Sequence, residues 1–328
     1  MFVVQRRLVA VLVLLIAAAA HAQSIVTVAG GGTLDGQRVS DVPISEPGGV
    51  AFDSAGNVYV ASRSGGQVLK IDAVTHVVTV VAGNGASGFT GDNGAAVSAT
   101  LRQPGEVAVD ANDNLYIADT QNGRVRRVDA KTGIITTFAG GATPADGSIG
   151  DGGQATAAEL DSPWGLLIDR GFLYVTEYAY HAHRVRRINM TTGTIDTFAG
   201  RSDRDPLGGF SGDNGPAKEA ELNTPLGIAV DSAGNLYFAD SGNKRIRRVD
   251  TNGTITTYAG GGPPANTGDG IQATDAYFDL PTVVAFDKDG NLLVASQGSI
   301  RRVDKTTHVI TTAVPDVGLL YGLGTAAD

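Results

Sequence analysis

The sequence contains no cysteine, a single tryptophan and only two methionines in 328 residues. The missing cysteines exclude disulfides and thiolate metal centres, so a folded domain here must rest on a sizeable apolar core. At 42% hydrophobic residues the chain can supply one. Positive charge is also scarce, with 25 Lys and Arg against 34 Asp and Glu and a net charge of −9. Such a surface repels phosphate backbones, which argues against general nucleic-acid binding. Long apolar runs are lacking but for one, Leu8 to Ala20, which follows Arg6 and Arg7 and precedes Ala20-His21-Ala22. A short basic start, an apolar stretch and a small-x-small site predict a secretory signal over residues 1–22, cleaved after Ala22. Cleavage removes two arginines and no acid, taking the charge from −9 to −11. A secreted or periplasmic protein is expected, with no membrane span after cleavage.

What is abundant is self-similarity. VAFD, VAVD, LLID, IAVD and VAFD begin at residues 50, 107, 166, 228 and 284, spaced by 57, 59, 62 and 56. Each is followed by NVYVAS, NLYIAD, FLYVTE, NLYFAD or NLLVAS, then by QVLKID, RVRRVD, RVRRIN, RIRRVD or SIRRVD. A fourth run closes each copy: VVTVVAG, IITTFAG, TIDTFAG, TITTYAG or VITTAV. Short runs rich in Val, Ile, Thr, Tyr and Phe, separated by Gly, Asn and Asp, predict strands. Four such strands per copy, repeated at a near-fixed period, predict the blades of an all-β propeller. The repeats span about 46–101, 102–160, 161–222, 223–278 and 279–314 within a domain of 23–328. Asp53, Asp110 and Asp231, with Asn57, Asn114 and Asn235, are expected to hold the first hairpin turns. The same turn explains DKDGN (287–291) better than a calcium loop does.

GNLYFADSGNKRIRRVD, ITTYAG and FSGDNGPAKEAEL resemble the NHL repeat family, in particular secreted bacterial members with long Gly-Asp-rich loops. The resemblance covers residues 24 to about 314. It implies a propeller and leaves function open, since such propellers serve as sensors, RNA platforms, adhesion modules and, in one branch, a metal-dependent lyase. It also implies a ring of six, so SIVTVAG (24–30) is expected to contribute to a partial sixth blade beside five full ones. VGLLYGLGTAAD (317–328) offers one further strand at most, or the chain is truncated there. A closed ring of five is the alternative.

The long connectors, between strands two and three and between blades, share one face by strand alternation, and long loops in compact folds are usually functional. The inter-blade loops repeat Asp92, Asp151, Asp213 and Asp269 before a short Ala/Glu stretch. Each Asp is expected to cap a helical turn; a carboxylate ring for a cation is the competing reading. The arginine pairs 126/127, 186/187, 247/248 and 301/302 are expected to pair with acids at blade edges. No GxSxG elbow, HExxH or P-loop occurs, and GNGASG (83–88) lacks the βαβ context of a dinucleotide site.

One copy departs from the others. Its second-to-third connector has six residues, Tyr178 to His183, where copies one, two and four have four, and Trp164 begins the same blade. Trp164, Tyr178, Tyr180, His181, His183 and Arg184 are therefore expected to form a surface for a protein, peptide or glycan partner, with packing beneath loop 201–210 as the alternative. Glu177, His181 and His183 have the chemistry of zinc or calcium ligands. The other histidines of the mature chain, His76 and His308, fall in turns on the opposite face and cannot complete such a site. A monomeric, non-catalytic binding propeller without a cofactor is the leading expectation. The alternative is a cation-dependent lyase or lactonase-like enzyme using the central channel.

Overall fold

The computed structural model describes residues 11–12, 27–29, 36–39, 42, 44–144, 148–179, 182–201, 208–296 and 298–315. Five antiparallel sheets form the blades of a propeller. Blade one comprises Pro47–Phe52, Val58–Ser62, Gln67–Ile71 and Val78–Ala82. Blade two comprises Pro104–Val109, Leu115–Asp119, Arg124–Val128 and Ile134–Gly140. Blade three runs Pro163–Asp169, Phe172–Glu177, Arg184–Asn189 and Ile195–Ala199. Blade four runs Pro225–Val230, Leu236–Asp240, Arg245–Val249 and Thr254–Gly260. Blade five runs Val283–Phe286, Leu292–Ser296, Ser299–Val303 and Val309–Val314.

Alternating side chains face the two neighbouring blades, so the core is divided into inter-blade layers. Ala61 and Val68 of blade one pack with Leu115, Ile117 and Ile135 of blade two. Equivalent layers join blades two and three, three and four, and four and five. The other face of blade one is covered by Val39, Val42 and Ile44. Where inner strands converge, side chains would collide: a Cβ on Gly48 would lie 2.1 Å from the Gly105 carbonyl oxygen. A Cβ on Gly165 or Gly227 would likewise lie 2.5 or 2.8 Å from a carbonyl oxygen of the next blade.

Every blade has the same bulge. The outer strand slips by one residue opposite Leu69, Arg126, Arg186, Arg247 and Arg301. A bulge redirects side chains, and here the extra residue is Phe138, Phe198 or Tyr258 in blades two to four. Each of these rings packs edge-on against the blade's own tyrosine, Tyr116, Tyr174 or Tyr237, with centroids 5.0, 5.1 and 4.9 Å apart. The loop preceding each blade adds a short segment to its outer strand. Gly94–Ala95, Gly215–Pro216 and Ile271–Gln272 pair as strands, while Arg38 and Gln154 form single bridges. These additions cover otherwise open sheet edges.

Within the 24–30 segment, Thr27–Ala29 is a strand as expected, and its partner is Val11–Leu12. The C-terminal piece 317–328, and the signal segment apart from residues 11–12, lie outside the described residues. Among the described residues, no helix is long and apolar enough to cross a membrane.

The first hairpin turns are built as the sequence implies. Asn57 and Asn114 each donate from backbone and side chain to Asp53 and Asp110, and Asn235 and Asn291 do likewise to Asp231 and Asp287. Arg302 adds an ion pair to Asp287 at 3.0 Å, so DKDGN is a structural turn.

Candidate functional site

The inter-blade loops are anchored differently from the expectation. The Ala96–Ser98, Ala155–Ala157, Ala217–Glu219 and Ala273–Asp275 segments are 3-10 turns without a side-chain cap. Asp92, Asp151, Asp213 and Asp269 instead pair with buried Arg126, Arg186, Arg247 and Arg301 at 2.7, 2.7, 2.8 and 3.1 Å. Thr137, Thr257 and Thr312, facing these arginines across the bulge, donate to the same carboxylates in three blades. Strand periodicity explains the correction: only the first arginine of each pair points inward, where it needs acids. The second acid comes from the end of strand two: Asp119, Glu177 or Asp240, at 3.4, 3.4 and 3.2 Å. These carboxylates are committed to arginine, and among the described residues no three His, Cys, Asp or Glu gather as a metal set.

Blade three varies this scheme. In blades two and four, Asn122 and Asn243 of the connector bond the strand-end aspartate, while Arg124 and Arg245 stack on Phe89 and Phe210 at 3.7 and 3.8 Å. Blade three has Ser148 at the position of those phenylalanines. Its longer Glu177 reaches Arg184 at 3.6 Å as well as Arg186, and its Oε1 accepts the Asp161 amide at 2.6 Å. Glu177 and Arg184 are both 2% exposed. Burial pushes the Glu177 carboxyl up while the two arginines hold it down.

The connector itself spreads over neighbouring blades. His183 Nδ1 accepts the Thr224 amide of blade four at 3.0 Å, which places that ring's proton on Nε2. Tyr178 meets Trp164 edge to face, 5.6 Å between centroids. Trp164 is 4% exposed, and Arg63 from blade one lies over its ring, 4.6 Å from the centroid. Gly105 of blade two lies beneath: a Cβ there would sit 3.4 Å from the indole, at ordinary contact distance. The stack of Arg63 from blade one with Trp164 and Tyr178 of blade three therefore brings two of the expected residues together on the long-loop face. Burial raises the Tyr178 hydroxyl, with Arg63 opposing and Asp161 adding to the shift. Tyr180 and His181 lie outside the described residues. His76 and His308 sit in turns between strands three and four, away from this cluster.

The channel holds a residue that the sequence reading passed over. All five inner strands line a cavity of about 460 Å³, with apolar walls that include Val107, Leu166, Ile168, Ile228 and Val284. Glu106 projects into it, at the register where the other blades have Gly49, Gly165, Gly227 and Val283. The carboxyl fits because Gly49 has no side chain; a Cβ there would be 2.3 Å from Glu106 Cγ. Its Oε2 accepts the Leu166 amide at 2.9 Å. Burial pushes this carboxyl up to about 8, with that one amide opposing. A lone Glu among glycines at one register was the available signal.

A family model described as the teneurin NHL domain matches residues 205–262. The chain is 30% identical to human teneurin-1 over 239 residues, 66% of this chain and 8% of that protein. It is 28% identical to chicken NHL repeat-containing protein 2 over 315 residues, 85% of this chain and 41% of that one. It thus spans under half of each relative's length. Among solved structures it is similar to a chain of the nidogen/laminin complex, with TM-score 0.58, 16% identity and coverage of 86% and 85%. It is also similar to a streptogramin B lyase, with TM-score 0.53, 16% identity and coverage of 88% and 74%. At such identities the structural likeness speaks for the fold alone, and the two neighbours differ in function. Repeats, blade architecture and relatives agree: the chain belongs to the NHL-repeat β-propellers.

Proposed function

We propose that this propeller is an exported binding module that recognises a protein, peptide or glycan through its long-loop face around the blade-three connector. The observation that carries the reading is a departure from the repeat confined to one loop. Glu177 and Arg184 pair across strands two and three in the same register as Asp119 and Arg124 in blade two. The six residues between them, rich in tyrosine and histidine, stand where blades one, two and four have a four-residue turn. Trp164 is the buried base of this feature; half-buried Tyr178 and the Arg63 guanidinium are contact groups, to which the same connector adds Tyr180 and His181 by sequence. Aromatic rings with polar edges, beside arginine, are efficient contact residues for such partners.

The reading is tested by capture on glycan and peptide arrays and from external fluid of the source cells, comparing the wild type with Tyr180→Ala and His181→Ala. Loss of captured ligands at an unchanged melting temperature supports it. Stoichiometric zinc or calcium in the purified protein would favour a cation-dependent enzyme instead. Export is tested by N-terminal sequencing of the secreted protein, which should begin at Gln23.

A further inference from the structure

The channel carries chemistry that blade packing does not require. Its four lining titratable residues, Glu106, Asp53, Asp110 and Asp113, are all acids, and no Lys, Arg or His lines it among the described residues. At the open mouth, Asp53 is neutralised by Lys70 at 3.0 Å, whereas Asp110 and Asp113 are held by neutral Asn114, Tyr116 and Ser54. Negative charge therefore guards the way in. At the deep end, Glu106 faces Gly49 of blade one and Gly165 and the Leu166 amide of blade three, none of them charged. Among the described residues its Oε1 accepts no hydrogen bond and no cation reaches it, and the residue is 8% exposed. Apolar walls with one convergent polar group are the usual make-up of a small-molecule pocket.

We propose that the channel is a second binding site, taking a small organic amine whose ammonium pairs with Glu106 and whose apolar body lies against Val107, Leu166, Ile168, Ile228 and Val284. The charge supplies the counter-ion that the buried carboxyl lacks, and the walls bury the hydrocarbon. The cavity admits from the short-turn face, where Ser54, Ala111 and Asp113 line its mouth. This site is separate from the blade-three connector and stands independently of the partner reading. Because Glu106 holds its proton up to about 8, pairing with an ammonium at neutral pH must expel that proton to solvent.

The test uses benzylamine and its uncharged counterpart benzyl alcohol with the whole secreted protein. Calorimetric titration in two buffers of different ionisation heat, at about pH 7, should show benzylamine binding with release of close to one proton. Benzyl alcohol should bind at least about tenfold more weakly with no proton released. Glu106→Gln should lose at least about tenfold in benzylamine affinity, while its melting temperature at that pH is no lower than the wild type's. Equal binding of the two probes, binding without proton release, or no binding of benzylamine at millimolar concentration would each overturn the proposal; the last two are read on wild type alone.

Discussion

Arg63 in the first blade covers the indole of Trp164 in the third, 4.6 Å from its centroid. The two residues belong to blades that are not neighbours, and Gly105 of the intervening blade lies against the same indole, 3.4 Å from where its Cβ would sit. Trp164 is thus a brace between three blades as well as the floor of the connector.

Two costs follow for that brace. Trp164→Ala should destabilise the protein by about 3–5 kcal/mol, because it empties a buried aromatic site. Arg63→Ala should cost only about 0.5–2 kcal/mol, the range of a partly desolvated cation–π contact. Denaturant titration measures both. Since Trp164 is the only tryptophan, its emission reports on this cluster alone and should shift to the red in Arg63→Ala.

The buried arginine clamps make a sharper stability prediction. Arg126→Leu leaves Asp119, itself 0% exposed, without its cation and should cost about 3–5 kcal/mol. Blade one shows the apolar alternative: Leu69 and Ser62 occupy these two positions. Adding Asp119→Ser to Arg126→Leu should therefore restore much of the loss. A double-mutant cycle by chemical denaturation measures the coupling.

Glu106 makes stability depend on pH in a direction opposite to that of an ordinary paired carboxylate. Unfolded, the group ionises near 4.5; folded, it ionises at about 8. Between these values the native state keeps a proton that the unfolded chain has lost, so stability falls as pH rises through the window. The total is on the order of 5 kcal/mol, at about 1.4 kcal/mol per unit. Thermal melts of the wild type minus those of Glu106→Gln should show this decline between about pH 5 and 8 and level off above it.

Gly48→Ala tests the convergence of the inner strands. Its Cβ would fall 2.1 Å from the backbone oxygen of Gly105, which cannot yield as a flexible side chain would. A loss of about 1–3 kcal/mol or more is expected. Gly133→Ala is a control for open space, since nothing lies within 4 Å of its Cβ, though its φ of +67° adds its own strain.

The blades were legible because strand patterning recurs at a near-fixed spacing, so that each copy corroborates the others. The Asp–Asn turns were legible because their bonds are local. Asp92 and its counterparts were misread because a sequence shows Asp before an Ala stretch, but not the arginine 34 residues further on that claims it. Alternation within RVRR does imply that Arg126 and Arg127 face opposite ways, and that was the clue to the clamp. Glu106 was visible as a departure from Gly49, Gly165 and Gly227, yet its meaning depends on five strands converging. Trp164 and Tyr178 were paired correctly by face, whereas the reach of Arg63 across a blade has no local signature.

Replacing the 178–183 connector by the Thr-Gln-Asn-Gly turn of blade two, together with Glu177→Asp, converts blade three to the common pattern while keeping its strands. Side-by-side capture on glycan and peptide arrays and from external fluid is the most direct measurement of partner binding at this face. Ligands retained by the wild type should be lost by the swapped protein, with cooperative unfolding preserved. Retention of the same ligands by both proteins, or of none by the wild type, would contradict recognition through the connector.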